Sequence, residues 1–170
     1  MVNNMIIIRN YLDRDAESVG KLIAETYGDF NLSFASSEKR NEFLGPFQHA
    51  WSTDKSHKEE IARVLKASIM YVALKEDRIV GVLRGKTDKL QSLFVSGTEH
   101  RQGIGRNLVD KYEAECIAQG SETIKLMSTL YAVPFYQSVG YRKSTGVRSM
   151  KSFDGDGLRY QPMKKILTHP

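Results

Sequence analysis

The sequence predicts a single mixed α/β domain. Short apolar segments rich in β-branched residues, such as residues 5–9, have the composition of buried strands. Longer segments between them carry apolar residues every three to four positions, which is the spacing of amphipathic helices. A length of 170 residues suits one domain with a sizeable core, and no repeat, low-complexity tract or linker divides the chain. Residues 1–170 are therefore expected to form one domain.

The N-terminal part alternates between strand and helix patterns. Three successive isoleucines within residues 5–9 predict a buried strand. Apolar residues on one face predict a helix over residues 16–27, with Asp13 as its N-cap. Residues 31–66 are expected to form two short helices, the first of which begins at Ser36.

Three strands and a long helix are expected next. Residues 70–74 and 79–84 flank a short polar turn and predict an antiparallel hairpin. Residues 90–95 predict the following strand. After a glycine turn, apolar residues at helical spacing predict an amphipathic helix over residues 104–117.

The C-terminal part is expected to add strands around one short helix. Alternating apolar residues predict a strand over residues 123–127. Residues 132–138 predict a short helix, because Pro134 fits only in a first helical turn. A further strand is expected from Tyr141, and a last one around residues 159–163 after an aspartate/glycine turn.

The composition excludes several classes of protein. With 41% hydrophobic and 26% charged residues, the chain has the composition of an ordinary globular protein. No apolar run approaches the roughly 20 residues of a membrane span, and none forms a signal-peptide core. A cytoplasmic location without a membrane partner is therefore expected. The single cysteine, Cys116, excludes an internal disulfide framework and is expected to pack inertly in the core.

The net charge of +5 and the pI of about 9.3 favour anionic partners. Lysines and arginines are spread along the chain without a long basic run, so a phosphorylated small molecule is favoured over nucleic acid. Metal catalysis lacks support, because the histidines are scattered and show no metal-ligand spacing; they are His49, His57, His100 and His169.

The segment 93–108 has the pattern of an anion-binding site. A short apolar run gives way to a polar turn, which ends in Gly103 and Gly105 at the predicted start of the long helix. A helix start offers unpaired N–H groups and a favourable dipole, and glycine lets a phosphate approach the backbone. Three side chains could add donors there: His100, Arg101 and Arg106.

Other familiar sites do not match the chain. A dinucleotide-binding loop needs a third glycine where this chain has Leu108, and no Gly-Lys-Ser/Thr sequence of a P-loop occurs. The chain also lacks a G-x-S-x-G elbow and an H-E-x-x-H motif. The glycine turn therefore has to be interpreted together with the segments around it.

Two segments together resemble the GNAT (general N-acetyltransferase) superfamily. The six residues 100–105 resemble its signature of Arg or Gln, two residues, Gly, one residue and then Gly or Ala, with histidine in the first place. Val95 matches the strand-end valine of the family. Phe135-Tyr136 and Gly140-Tyr141 match a second family segment. The order of predicted elements agrees as well, so the resemblance implies a mixed, mostly antiparallel sheet of about six to seven strands flanked by helices.

The resemblance implies an acetyl-CoA-dependent N-acetyltransferase that acts on an amine of a small molecule, peptide or protein. The pantetheine arm would pair with residues 93–95, and an N–H of Phe94 or Val95 would polarise the thioester carbonyl. Tyr136 would act as general acid toward the leaving thiolate. Tyr131 and Pro134 would wall the thiol end. The residues implied at the pyrophosphate are His100, Arg101, Gln102, Gly103, Ile104, Gly105 and Arg106.

The sequence identifies neither the general base nor the acceptor. Gln91 and Ser92 stand where many relatives carry a carboxylate, and neither can act as a base. Through water, the base could be Glu25, His49 or Glu99. The acceptor pocket is expected to involve residues 148–160 and the aromatic residues Phe30, Phe34, Phe43, Phe47 and Trp51.

Two other functions compete with the acetyltransferase. The missing strand carboxylate favours a non-catalytic acyl-CoA-binding sensor or regulator. The high pI favours, more weakly, a nucleic-acid-binding domain. Self-association as a homodimer is compatible with each of these functions.

Overall fold

A single eight-stranded sheet organises the protein, whose computed structural model describes residues 5–168. The strand order is β1-β2-β3-β4-β5-β8-β6, and β7 also pairs with β8. Every neighbouring pair is antiparallel except β4 and β5, which are parallel. The strands are β1 (Ile6–Asn10), β2 (Ile69–Lys75), β3 (Arg78–Lys86), β4 (Lys89–Val95), β5 (Thr123–Thr129), β6 (Arg142–Lys143), β7 (Arg148–Ser152) and β8 (Gly155–Ile166).

Helices cover both faces of the sheet. They are α1 (Ala16–Thr26), α2 (Ser37–Leu44), α3 (Lys55–Leu65), α4 (Ile104–Ala118) and α5 (Val133–Ser138). The first three bury apolar residues in one cluster against β2 and β3, and α4 and α5 contribute to a second cluster on the other face. The predicted α/β fold is confirmed. The sheet has eight strands instead of six or seven, because the short β6 and the β7–β8 hairpin both join it.

Most local predictions are confirmed for a clear physical reason. The β2–β3 turn has positive φ at both Glu76 and Asp77, the backbone of a type I′ turn, which matches the twist of a hairpin. The Ser36 hydroxyl accepts a hydrogen bond from the N–H of Lys39 and caps α2. Cys116 is fully buried, as expected for a packing residue.

Two local predictions differ from the structure. Asp13 does not cap α1; the carboxylate of Asp15 instead accepts the N–H of Leu12 at 2.8 Å. The aspartate/glycine turn was expected to reach residue 157, but β8 already begins at Gly155. A Cβ at Gly155 would lie 2.3 Å from the Phe43 ring, so this glycine serves close packing of α2 on the sheet.

The Arg9–Asp15 ion pair is expected to make stability depend on pH. Asp15 is buried, Arg9 donates to both of its oxygens at 2.7 and 3.0 Å, and these bonds lower the pKa of its carboxyl. Because the folded pKa lies below the unfolded one, the ion pair stabilises fully above the unfolded pKa. This stabilisation is lost as the pH falls through the folded pKa.

Asp15→Asn is therefore expected to lower the free energy of unfolding by about 2 kcal/mol at neutral pH. Urea unfolding of both proteins between pH 7 and about pH 2 would measure the gap, which should close toward the acid end. A gap that stays constant with pH would show that the charge of Asp15 does not cause it.

Candidate active site

The parallel strands β4 and β5 separate soon after they begin to pair. Only Lys89 with Lys125 and Leu90 with Leu126 are in register. At the same level, β4 carries a bulge against β3, because Gly85 pairs with Leu90 while Arg84 already pairs with Ser92. The extra residue bends β4 away from its straight course. Residues 91–95 of β4 and 127–129 of β5 therefore line a wedge between the two strands.

Along β4, alternate residues direct their backbone groups toward β3 or away from it, and those that point away face the wedge. Ser96 donates its N–H to Val80 at 2.8 Å, and Val95 lies directly opposite Gly81. In an antiparallel pair, every second residue directs both backbone groups away from its partner. The backbone groups of Leu93 and Val95 therefore point into the wedge, and those of Phe94 point toward β3. Of the two predicted thioester contacts, this favours Val95 over Phe94.

The start of α4 lies at the open end of the wedge. Gly103 is the N-cap residue, with a φ of 78°, and no side chain caps the helix. Its first N–H groups thus face outward without a side-chain acceptor. A Cβ at Gly105 would lie 3.1 Å from the ring of Phe135 and 3.8 Å from Val95, so the glycine lets α4 approach both. The helix start therefore has the geometry of an anion site.

One cavity of about 630 Å³ joins the wedge to the helix start. Eleven of the twelve predicted site residues line it: Phe94, Val95, His100, Arg101, Gly103, Ile104, Gly105, Arg106, Tyr131, Pro134 and Tyr136. Gln102 is the exception, and its side chain is exposed. Any role of Gln102 at a ligand thus falls to its backbone.

Tyr136 lies deep in this cavity. Its side chain is 7% exposed and packs edge-on against Phe135 and Tyr141, with ring centroids 5.3 and 5.9 Å away. Burial raises the pKa of its hydroxyl. Tyr136 is therefore a neutral phenol at physiological pH: its proton is present for transfer, and burial makes it a weaker acid than an exposed tyrosine.

Comparison with known proteins decides the family. A family model described as an acetyltransferase (GNAT) domain matches residues 34–167. The chain belongs to the GNAT acetyltransferase family. No match was found among curated proteins.

Solved structures of GNAT proteins share the fold. A GCN5-related N-acetyltransferase from Rhodopseudomonas palustris superposes with a TM-score of 0.80 at 21% identity, over 98% of this chain and 99% of that chain. The PaiA N-acetyltransferase from Thermoplasma acidophilum, in complex with coenzyme A, gives 0.71 at 16% identity, over 96% and 99%. The ribosomal-protein-S18-alanine N-acetyltransferase from Escherichia coli gives 0.63 at 15% identity, over 98% and 96%.

The part of this GNAT chain that the structure describes lacks two features. It contains no group of three or more His, Cys, Asp or Glu side chains placed to hold a metal ion. Nor does it contain a helix with the length and apolar character needed to cross a membrane. His169 lies outside the described residues.

None of the three candidate bases is placed beside Tyr136 with a carboxylate or imidazole ready to accept a proton. Glu99 lines the cavity, but Lys75 donates to it at 2.8 Å and lowers its pKa, with Arg78 3.6 Å away. Glu25 is exposed and lines a separate cavity. His49 stacks on His57 with ring centroids 4.0 Å apart, away from the cavity. Within residues 5–168, none of these three predicted bases is therefore placed to accept the proton of the acceptor amine.

A widened helical turn after α1 covers the wedge, and sequence patterns gave no sign of it. The helix continues in π geometry through residues Tyr27–Asn31 instead of ending at Tyr27. Its Asn31 donates to the hydroxyl of Thr129 at 2.5 Å, at the end of β5. Its Phe30 ring lies 4.8 Å from His100, which follows β4. This turn therefore connects the two sides of the wedge.

The predicted aromatic residues of the acceptor pocket divide into three groups. Phe43 and Phe47 are buried in the core beneath α2. Phe34 and Trp51 are exposed by 69% and 56%. Only Phe30 lines the cavity. The sequence could not separate these groups, because an aromatic residue has the same local pattern whether it packs in the core, lies on the surface or lines a cavity.

His100 holds the end of β4 in place. Its Nε2 donates a hydrogen bond to the carbonyl of Val95 at 2.8 Å, since a carbonyl can only accept. This carbonyl points away from β3, as does the N–H of Val95. The hydrogen bond therefore fixes the backbone of the residue whose N–H faces the wedge. The histidine in the signature thus has a backbone partner as well as a place in the cavity wall.

Two substitutions of His100 are expected to differ. His100→Gln keeps a donor near the position of Nε2, whereas His100→Phe keeps the ring against Phe30 and loses the donor. His100→Phe should raise the KM for acetyl-CoA about five- to tenfold, the equivalent of one hydrogen bond, and His100→Gln by less than about twofold. Steady-state kinetics would measure both. Equal KM values for the two variants would contradict a role for the donor.

Proposed function

We propose that residues 1–170 act as one N-acetyltransferase domain, which transfers the acetyl group of acetyl-CoA to an amine of a small molecule, peptide or protein. One observation carries this proposal: a single cavity joins an unpaired strand edge, an uncapped helix start and a buried tyrosine. These three features correspond to the three parts of the cosubstrate, which are the pantetheine arm, the pyrophosphate and the thioester.

The pyrophosphate would bind at the start of α4. The N–H groups after Gly103 donate to it, and the guanidinium groups of Arg101 and Arg106 add positive charge at the cavity wall. Arg106 also donates to the carbonyl of Ser138 at 3.1 Å, which holds α5 next to α4. The crystallised complex of the related PaiA protein with coenzyme A supports this choice of ligand.

The pantetheine arm would pair with β4 inside the wedge. Its amides can hydrogen-bond with the N–H and carbonyl of Leu93 and with the N–H of Val95, which no neighbouring strand occupies; the carbonyl of Val95 accepts from His100. Leu93 is the first residue of the segment 93–95 that was expected to pair with this arm, and it precedes Val95 by the two-residue period of a strand. An N–H on this edge can polarise the thioester carbonyl.

The chemical step exchanges one bond for another. The acceptor nitrogen forms a bond to the carbonyl carbon, the bond from that carbon to sulfur breaks, and the electron pair leaves with sulfur. Tyr136 gives its hydroxyl proton to the thiolate and regains a proton from solvent. The nitrogen loses its extra proton to water, because Glu99, the one predicted base that lines the cavity, is paired with Lys75 and Arg78. Alignment of the two reactants supplies a large part of the acceleration.

None of the predicted bases is in place, and this also favours a second function. The chain would then be a regulator that binds acyl-CoA without transferring its acyl group. An acceptor screen separates the two functions. Purified protein is incubated with acetyl-CoA and pooled amines, thiol release is measured, and acetylated products are identified by mass spectrometry. The transferase predicts amine-dependent thiol release. Tight acetyl-CoA binding without turnover on any amine would overturn it and favour the regulator.

A further inference from the structure

Five basic residues occupy successive cross-strand positions at one end of the sheet. Lys86 of β3 lies opposite Lys89 of β4, and Lys89 lies opposite Lys125 of β5. Lys164 of β8 lies opposite both Lys125 and Arg142 of β6. Neighbouring strands are about 4.8 Å apart, so these residues form a row about 19 Å long across five strands. They are called the cation row below.

The cation row lies on the face opposite α4. Leu90, Leu126 and Met163 belong to the apolar cluster beneath α4. Each of them directly follows or precedes a residue of the row, and successive side chains of a strand point to opposite faces. Four residues of the row are exposed, and Lys89 is half-buried. The row is therefore accessible from the side of α1 to α3.

Carboxylates of the protein neutralise little of the positive charge of the cation row. Lys86 approaches Asp88 at 3.9 Å, and both side chains are exposed. In residues 5–168, none of the other four forms an ion pair with a carboxylate. Like charges directly opposite one another destabilise a sheet. The row thus costs stability, and it concentrates the net positive charge of the chain at one place.

The cation row is close to the proposed site of acetyl transfer. Its Lys89–Lys125 pair adjoins the last register pair before the wedge opens. From Lys89 to Val95, the favoured thioester contact, the strand advances six residues, or about 20 Å. On this face, Met127 is 43% exposed and lies between the wedge and the row, and Ile166 is 72% exposed and lies beyond the row. An extended chain could therefore run over β5 and β8 from the wedge to the row.

We propose that the cation row binds carboxylates of an acidic peptide segment that carries the acceptor amine. This inference rests on the proposed transferase and names its acceptor class. Three to five residues at about 3.3 Å each span about 10–17 Å, and extended lysine and glutamate side chains bridge the remaining distance to the row. Nucleic acid matches the charge but lacks an aliphatic amine, because its exocyclic amines are delocalised into the bases and are poor nucleophiles.

Three peptides of equal length test the position of the charge. All have a free α-amine; one has Glu at positions 4–6, the second has Gln there, and the third has Glu at positions 1–3. At low salt, kcat/KM should be about tenfold higher for the first than for the second, and higher than for the third. The advantage should shrink in 0.5 M salt, where the Debye length is about 4 Å.

Two double variants that remove the same amount of charge test whether the residues of the cation row cause the preference. K125Q/K164Q removes two charges from the row and should abolish most of the preference for the first peptide, measured as the ratio of its kcat/KM to that of the Gln peptide. K111Q/K143Q removes the same charge from the α4 side and should keep the preference. Lys111 lies on α4, and Lys143 is opposite the buried Met163. Equal effects of the two double variants would overturn the role of the row.

A binding measurement separates this proposal from the transferase itself. If no amine in the screen is acetylated, the proposed function fails. The row is then tested by fluorescence anisotropy of the labelled Glu and Gln peptides with the full chain. Preference for the Glu peptide that K125Q/K164Q abolishes supports an acidic-peptide site. Equal affinity for both peptides, or tighter binding of a single-stranded oligonucleotide than of the Glu peptide, overturns it.

Discussion

Replacing Tyr136 with phenylalanine is expected to lower kcat about 100-fold and to leave the KM for acetyl-CoA within about twofold. The ring stays in place between Phe135 and Tyr141, so the cavity keeps its shape. The hydroxyl proton is lost, and the thiolate has to leave without an acid. Pre-steady-state and steady-state rates of thiol release with a reactive amine would measure the effect.

Tyr141→Phe is the matched control for this experiment. Its hydroxyl is buried without a hydrogen-bond partner in residues 5–168, and its ring contacts that of Tyr136. Removing this hydroxyl should leave kcat unchanged and not lower the thermal midpoint, because a buried polar group without a partner is unfavourable. Unchanged turnover in Tyr136→Phe would contradict its role as acid. Equal losses in both variants would indicate a packing effect instead.

Gly105→Val is expected to weaken acetyl-CoA binding about 100-fold or more. Even a Cβ would lie 3.1 Å from Phe135 and 3.8 Å from Val95, and valine adds two further methyl groups between them. These groups would occupy the passage from the helix start to the wedge. A ligand that is excluded from the start of α4 or from the wedge loses charge-assisted hydrogen bonds, and each of these contributes about 1.5–3 kcal/mol to binding. Isothermal titration calorimetry with acetyl-CoA would measure the change.

Gly146→Val controls for the general cost of valine in place of glycine. A Cβ at Gly146 meets no atom within 4 Å, and this residue does not line the cavity. Gly146→Val should bind acetyl-CoA like the unmodified protein. Circular dichroism and the thermal midpoint would show whether Gly105→Val is folded. Unaltered affinity in a folded Gly105→Val protein would contradict a ligand path past α4.

The elements with a strong periodic pattern were predictable from sequence. The hairpin between β2 and β3, the helix α4 and the glycines at its start all follow from local rules on turns, amphipathic spacing and helix ends. Lining residues such as Tyr136 were found because they occupy positions of a recognisable family pattern. These features depend on residues near one another in the chain.

Other features depend on residues far apart in the chain and left no local pattern. The bulge at Gln91 arises from pairing with β3, and the hydrogen bond from Asn31 to Thr129 joins residues 98 positions apart. Asp15 rather than Asp13 stabilises the start of α1, because Arg9 on β1 lies within reach of it. The cation row becomes visible only when strands distant in sequence are placed side by side.

The brief pairing of β4 with β5 has a mechanical consequence for the whole molecule. Only two register pairs connect the half-sheet β1–β4 with the half-sheet that contains β5 and β8. An acetyl-CoA molecule in the wedge would act as a missing strand between them and join the halves over a greater length. Part of its binding free energy would then raise the free energy that is needed to separate the two half-sheets. Cosubstrate and protein would complete a single sheet together.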